Sequence, residues 1–93
     1  MGMATLAVMF KIGGQGVVLA LQQAGEKLES GDGQVVLDFS FVGRISPAVL
    51  AAMEELASVA DGRGVKLALR GVNIEVYKVL KLAKLAPRFS FLS

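Results

Sequence analysis

The sequence predicts an α/β fold, with a mainly parallel four-stranded sheet and three or four helices in a single small domain spanning residues 1–93. Short apolar runs typical of buried strands alternate with amphipathic helical patterns along the chain. The connections between them are only a few residues long, which favours neighbouring elements joined by right-handed crossovers. The chain has 93 residues, 54% of them hydrophobic, enough for one core and too few for two.

The amino-terminal third predicts one strand and one helix. Residues 5–12, TLAVMFKI, are apolar on both faces, as in a buried strand. From Val17 to Leu28, apolar residues recur at helical spacings, and Gln and Glu residues gather on the other side. The glycine-rich SGDG that follows predicts the end of this helix and a turn.

A glycine cluster separates this strand from this helix. Gly13, Gly14 and Gly16 stand where helix N–H groups can hold a phosphate. Leu19 replaces the third glycine of a dinucleotide-binding loop, and no Gly-Lys-Ser/Thr follows. A tight turn is the simpler interpretation, and a nucleotide or lipid ligand loop is the alternative.

The middle of the chain predicts the clearest strand and the clearest helix. The run QVVL at residues 34–37 indicates a strand buried on both faces, interrupted by Asp38 and Ser40. Ser46 followed by Pro47 indicates a helix N-cap with proline at the first helical position. The helix is expected to run to Ala60, and any functional site is expected at this junction.

The carboxyl-terminal third predicts another strand and helix and a short terminal strand. Gly62 and Gly64 are expected to end the preceding helix, before a strand over residues 65–69. Asn73 is the expected N-cap of the next helix, and Pro87 is expected to end it. Alternating phenylalanines at residues 89–92 favour a terminal strand or packing tail.

Composition excludes several classes of function. The chain has no cysteine and no histidine, which excludes thiolate nucleophiles, disulfides, imidazole catalysis and Cys/His zinc sites. The net charge of +2 is too small to indicate nucleic-acid binding, although seven basic residues follow Ala60. No apolar run approaches the ~20 residues of a membrane span, and no secretory signal pattern opens the chain. A cytoplasmic protein without a cofactor, metal or membrane insertion is expected.

An enzymatic site is the least favoured hypothesis. Asp38, Ser40 and Ser46 are a carboxylate and two hydroxyls placed where parallel sheets carry their sites. Carboxylates are the only general bases available to activate a serine, and the chain is expected not to be an enzyme. Asp38 bonding to loop backbone and Ser46 capping a helix explain these residues equally well.

An ordered set of motifs from Gln34 to about Leu92 resembles the STAS domain of bacterial anti-sigma-factor antagonists. That family has a strand ending Leu-Asp-Leu-Ser, an Asp-Ser-Ser-Gly-Leu helix start, a Gly-Val-Lys-Leu strand and a final helix rich in valine and leucine. The matching residues here are Leu37-Asp38-Phe39-Ser40, then Val42, Ile45 and Leu50, Gly64-Val65-Lys66-Leu67, and Gly71-Val72, Val76, Val79-Leu80 and Leu85.

The chain departs from this family where the family is regulated. Ser46-Pro47-Ala48-Val49 stands in place of Asp-Ser-Ser-Gly, which aligns Ala48 with the hydroxyl that a kinase phosphorylates in the antagonists. The resemblance therefore implies that this switch is absent, with Ser46 as an alternative phosphoacceptor. The family's usual pair of amino-terminal strands is reduced here to one run, which predicts an edge strand that another copy of the chain could cover, as a homodimer.

The resemblance implies a regulatory protein-interaction module. Its partner would be an anti-sigma factor kinase or, as in STAS subunits of lipid-trafficking ABC transporters, a transporter subunit; the tail LRGVNIEVYKVLKLAKL resembles that second subgroup. Contact would come from the loop before the central helix and the start of that helix. The predicted contact residues are Phe41, Val42, Gly43, Arg44, Ser46, Pro47 and Ala48.

Overall fold

The computed structural model describes residues 7–13, 16–26, 28 and 33–92. The elements follow the order β-α-β-α-β-α-β, and a 3-10 turn at Ala86–Arg88 precedes the last strand. The strands are β1 (Ala7–Gly13), β2 (Gln34–Phe41), β3 (Lys66–Arg70) and β4 (Ser90–Leu92). The α-helices are α1 (Val17–Glu26), α2 (Pro47–Arg63) and α3 (Ile74–Leu82). The predicted α/β class is confirmed.

The sheet is parallel throughout, in the strand order β1-β2-β3-β4. Three strands of five to eight residues form its main part, and the three-residue β4 extends it beside β3. The predicted count of four strands is therefore met only with this short edge strand included. Among the described strands, β1 lies at the opposite edge, as the reduced amino-terminal third predicts.

The main core lies between the sheet and the helices. Alternate residues of β2 and β3, such as Leu37 and Leu69, belong to one cluster with apolar residues of α1, α2 and α3. Val36 and Ala68 are also buried but lie outside that cluster, so they face the other side of the sheet. All three helices therefore cover one face, as right-handed crossovers in a strictly sequential strand order require.

Several predicted element ends are wrong by a few residues. Strand β2 continues through Asp38 to Phe41, because backbone pairing with β1 and β3 persists past the apolar run. Strand β3 begins and ends one residue later than predicted. Helix α2 runs through Gly62 to Arg63 and ends at Gly64, whose left-handed backbone (φ 70°) places its N–H on the carbonyls of the last turn.

The end of α3 is also corrected. Pro87 does not end this helix; α3 stops at Leu82, and Pro87 lies in the 3-10 turn before β4. Lys84 follows the helix with a φ of 63° and is the only non-glycine residue with positive φ in the described part of the chain. The helix thus ends through a left-handed lysine, a conformation that the proline signal could not indicate.

Gly71, the first residue after β3, packs against Ser40 near the end of β2. Its φ is 73°, and a Cβ there would lie 3.0 Å from Ser40 Cα and closer still to Ser40 Oγ. Ser40 is itself held by Asp38, whose Oδ1 accepts from the Ser40 N–H (3.0 Å) and hydroxyl (2.6 Å). Only glycine therefore lets the chain leave β3 this close to β2.

Gly71→Ala is expected to lower the free energy of unfolding by about 2–3 kcal/mol, because left-handed strain and backbone crowding add. Gly62→Ala is the matched control: Gly62 is helical, nothing lies within 4 Å of the added carbon, and a gain of up to ~1 kcal/mol is expected. Urea unfolding of both variants measures the difference. Equal stabilities would contradict the close approach at Gly71.

Candidate functional site

The predicted contact loop leaves the sheet at a sharp inward turn. The Val42 N–H donates to the Phe39 carbonyl (2.9 Å), and the Val42 side chain is buried in the main core. Phe41, just before this turn, is 68% exposed. The turn therefore anchors the loop through Val42 and leaves its neighbour on the surface.

Asn73 holds the middle of this loop from the other side. Its Nδ2 donates to the carbonyls of Val42 (3.3 Å) and Gly43 (3.1 Å). Its Oδ1 accepts from the Val76 N–H (2.8 Å), which makes it the N-cap of α3, as the sequence predicts. One side chain thus starts a helix and fixes the loop, using both halves of the amide.

Ser46 fixes the end of the loop. Its side chain accepts from the Val49 N–H (3.3 Å), and the Leu50 N–H donates to its carbonyl (3.0 Å). Pro47 occupies the first position of α2. The predicted N-cap is therefore confirmed, and the Ser46 hydroxyl oxygen already has a partner in the helix backbone.

The structure divides the predicted contact residues into two groups. The buried Val42 side chain is not available to a partner, so its place among the contact residues is corrected to an anchor of the loop. The other predicted contact residues are exposed on a continuous stretch of chain: Phe41, Gly43, Arg44, Ser46, Pro47 and Ala48. That the partner binds this stretch stays a prediction.

Asp38 and Ser40 do not join Ser46. They alternate along β2 with Leu37 and Phe39, which pack towards the helices, so their side chains face the opposite side of the sheet. Ser46 lies on the helical side, at the start of α2. The three side chains therefore do not converge as a hydrolytic site would require. Asp38 instead orders the end of β2, because its Oδ1 accepts two hydrogen bonds from Ser40.

The structure adds little evidence for the remaining predicted sites. Gly14 and Gln15 of the glycine cluster lie outside the described residues; Gly13 ends β1 and Gly16 immediately precedes α1. No three acidic, cysteine or histidine side chains come together as metal ligands within the described ranges. The described helices include none with the length and apolarity needed to cross a membrane.

Sequence reasoning identified Asn73 only as a helix cap. Its link to the loop joins residues 30 and 31 positions apart, which no local pattern encodes. The one available signal is the residue type, because asparagine brings two N–H donors that serine, threonine and aspartate lack.

Comparisons with known proteins agree with this architecture. Residues 15–89 match the family model described as "Mlab, STAS domain". Among solved structures, the chain resembles a Thermotoga maritima protein provisionally assigned as an anti-sigma factor antagonist, with a TM-score of 0.75 and 17% sequence identity. The match covers 97% of this chain and 83% of that one. A search of curated proteins found no significant match.

Ser46→Ala is expected to lower the free energy of unfolding by about 1 kcal/mol, because it removes the oxygen that caps α2. Ser58→Ala is the control, since Ser58 is exposed within the same helix, where alanine is the better helix former and a gain of a few tenths of a kcal/mol is expected. Denaturant unfolding compares the two variants. A Ser46→Ala protein as stable as Ser58→Ala would contradict the capping role.

Proposed function

Because this chain belongs to the STAS domain family, we propose that it is a regulatory, non-enzymatic interaction module that docks a protein partner through residues 41–48 and the start of α2. Residues 1–93 form one such domain in this proposal, and it acts in the cytoplasm. The fold and the family support a regulatory module; the docking surface is our inference from the loop.

The fixed shape of the loop is the observation that carries this proposal. Buried Val42, the Asn73 amide and the Ser46 cap restrain successive points of an exposed segment. A segment held in one conformation loses little entropy on binding, which is an advantage for docking. Between the fixed points, Arg44 offers a cation, and just before the first of them Phe41 offers an exposed aromatic ring.

The proposal includes the loss of the phosphorylation switch. Ala48, aligned with the phosphorylated serine of the antagonists, is the second residue of α2 and carries no hydroxyl. Ser46 is the nearest hydroxyl, and its oxygen caps the helix. Binding would therefore be constitutive, controlled by partner concentration rather than by a kinase acting on this chain.

Two partner classes are consistent with these findings. The structural relative is described as an anti-sigma factor antagonist, which favours an anti-sigma factor kinase. The family model carries the description Mlab. Together with the tail LRGVNIEVYKVLKLAKL, this favours the second class, in which the partner is another subunit of a lipid-trafficking ABC transporter and this chain is its STAS subunit. Both candidates use the same loop, and the genes beside this one would distinguish them.

Arg44→Glu is expected to weaken binding of the anti-sigma factor kinase or transporter subunit encoded beside this gene by about tenfold or more, because it reverses the loop's cation at the interface. Lys66→Glu is the matched control: the same charge change at the start of β3, on the opposite end of the sheet, is expected to alter affinity by less than about twofold. Isothermal titration calorimetry measures both. Equal losses in the two variants would place the interface elsewhere.

Incubation of the protein with a cognate kinase and ATP is expected to leave residues 41–48 unmodified. Intact-mass and peptide mass spectrometry would detect any phosphate, and Ala48→Ser provides a positive control that restores the hydroxyl at the aligned position. Stoichiometric phosphate on Ser46 of the unaltered chain would contradict the loss of the switch.

A further inference from the structure

A second candidate binding surface lies beside α3, towards the carboxyl end of that helix. A cavity of about 500 Å³ opens between α3 and β4, with mostly apolar walls. The rings of Tyr77 and Phe91 meet edge to face in it, 5.1 Å between centroids and 80° between planes. Each of these residues is more than a third exposed, and neither belongs to the buried core. Ala86 and Pro87 complete the apolar lining.

The rim of this groove is positively charged. Lys81 and Lys84 line it, and both are exposed. Within the described part of the chain, the one salt bridge joins Arg88 to Asp61 (2.9 Å), so neither groove lysine has an acidic partner there. An apolar floor beneath two unpaired cations is complementary to an acidic segment that carries an apolar side chain.

Lys84 also has a backbone conformation that favours glycine. Its φ of 63° is the left-handed conformation in which glycine ends most such helices. A lysine there retains strain that glycine would relieve, and such strain concentrates at functional sites. The Lys84 side chain is therefore an independent indication that this end of α3 has a role besides folding.

The sheet edge beside the groove indicates the form of the occupant. Strand β4 pairs with β3 on one side and is the last strand of the described sheet on the other. Phe91 belongs to this strand and to the groove wall at once. An extended peptide can add to such an edge through its backbone while its side chains enter the groove, whereas a lipid has no backbone that could pair with the edge.

From these observations, we propose that the groove between α3 and β4 binds an extended acidic segment of a partner protein. The segment adds to β4 as a fifth strand, places an aromatic or large aliphatic side chain against Tyr77 and Phe91, and pairs its carboxylates with Lys81 and Lys84. The α3 N-cap contacts the docking loop, and the groove lies towards the opposite end of that helix. The two surfaces share no lining residue.

The test uses the full chain and the fluorescein-labelled peptide Thr-Glu-Thr-Phe-Thr-Glu-Thr, whose phenylalanine and two glutamates lie on one face of an extended strand. Binding is measured by fluorescence anisotropy at physiological salt. Saturable binding is expected. Lys81→Glu is expected to weaken it about tenfold, whereas Lys78→Glu, the same charge change on α3 outside the groove lining, is expected to weaken it less than about twofold. Absence of saturable binding, or equal losses in the two variants, would overturn the proposal.

Two further ligands test the form of the occupant. The peptide Thr-Glu-Pro-Phe-Pro-Glu-Thr keeps the charge and the anchor but lacks two backbone donors, so it is expected to bind at least about tenfold more weakly. Equal binding of both peptides would overturn strand addition. Vesicles containing phosphatidylglycerol are expected not to compete with the acidic peptide; competition equally sensitive to Lys78→Glu and Lys81→Glu would assign the surface to an anionic membrane instead.

Lys84→Gly separates binding from folding. Glycine relieves the left-handed backbone, so the melting temperature is expected to rise, while peptide affinity is expected to fall several-fold with the lost cation. A merely structural residue at this position would show no loss of affinity. Wild-type affinity in Lys84→Gly would therefore contradict the role of Lys84 in the groove.

Discussion

The Asn73 side chain is the interaction on which the candidate site depends. Its amide joins the start of α3 to the carbonyls of Val42 and Gly43, so that two segments 30 residues apart are fixed by one residue. The Asn73 residue is exposed and its hydrogen bonds are at most partly buried, so each adds only about 0.5–1.5 kcal/mol. Their effect is therefore on shape more than on stability: they hold a loop that would otherwise be anchored only at its buried start and its capped end.

The parallel sheet explains why the loop lies where it does. Strictly sequential strands place all three helices on one face and bring the carboxyl ends of β2 and β3 to the same edge. The loop after β2 and the start of α3 after β3 therefore meet. Many α/β proteins use this edge for chemistry, but here α2 starts with Pro47 and Ala48, which carry no hydroxyl, and Asp38 and Ser40 face the other side. This edge of the sheet therefore presents a surface of fixed shape.

The sequence predicted the elements well because each was marked by local chemistry. Ser46-Pro47 and Asn73 defined two helix starts, and alternating apolar runs defined the strands. The errors arose where tertiary contacts override local signals: backbone pairing carried β2 past Asp38, and α2 continued through Gly62. The burial of Val42 follows from how distant segments pack, so no local pattern indicates it. The left-handed Lys84 belongs to the local closure of α3, where the Leu85 N–H donates to the Leu80 carbonyl (2.9 Å), but the glycine that usually signals this conformation is absent. The loop was predicted as a site, but the residue that shapes it was not.

Measuring the partner affinity of the Asn73→Asp variant tests most directly whether docking depends on the conformation of the loop. Aspartate still caps α3 through its carboxylate, but it has no N–H to donate to Val42 and Gly43, and it repels their carbonyls. Asn73→Asp is expected to give a folded protein about 1–2 kcal/mol less stable than wild type, because the charged cap offsets part of the two lost hydrogen bonds, and to bind the partner about tenfold more weakly. Wild-type affinity in a folded Asn73→Asp protein would show that the partner does not require the loop conformation that Asn73 holds.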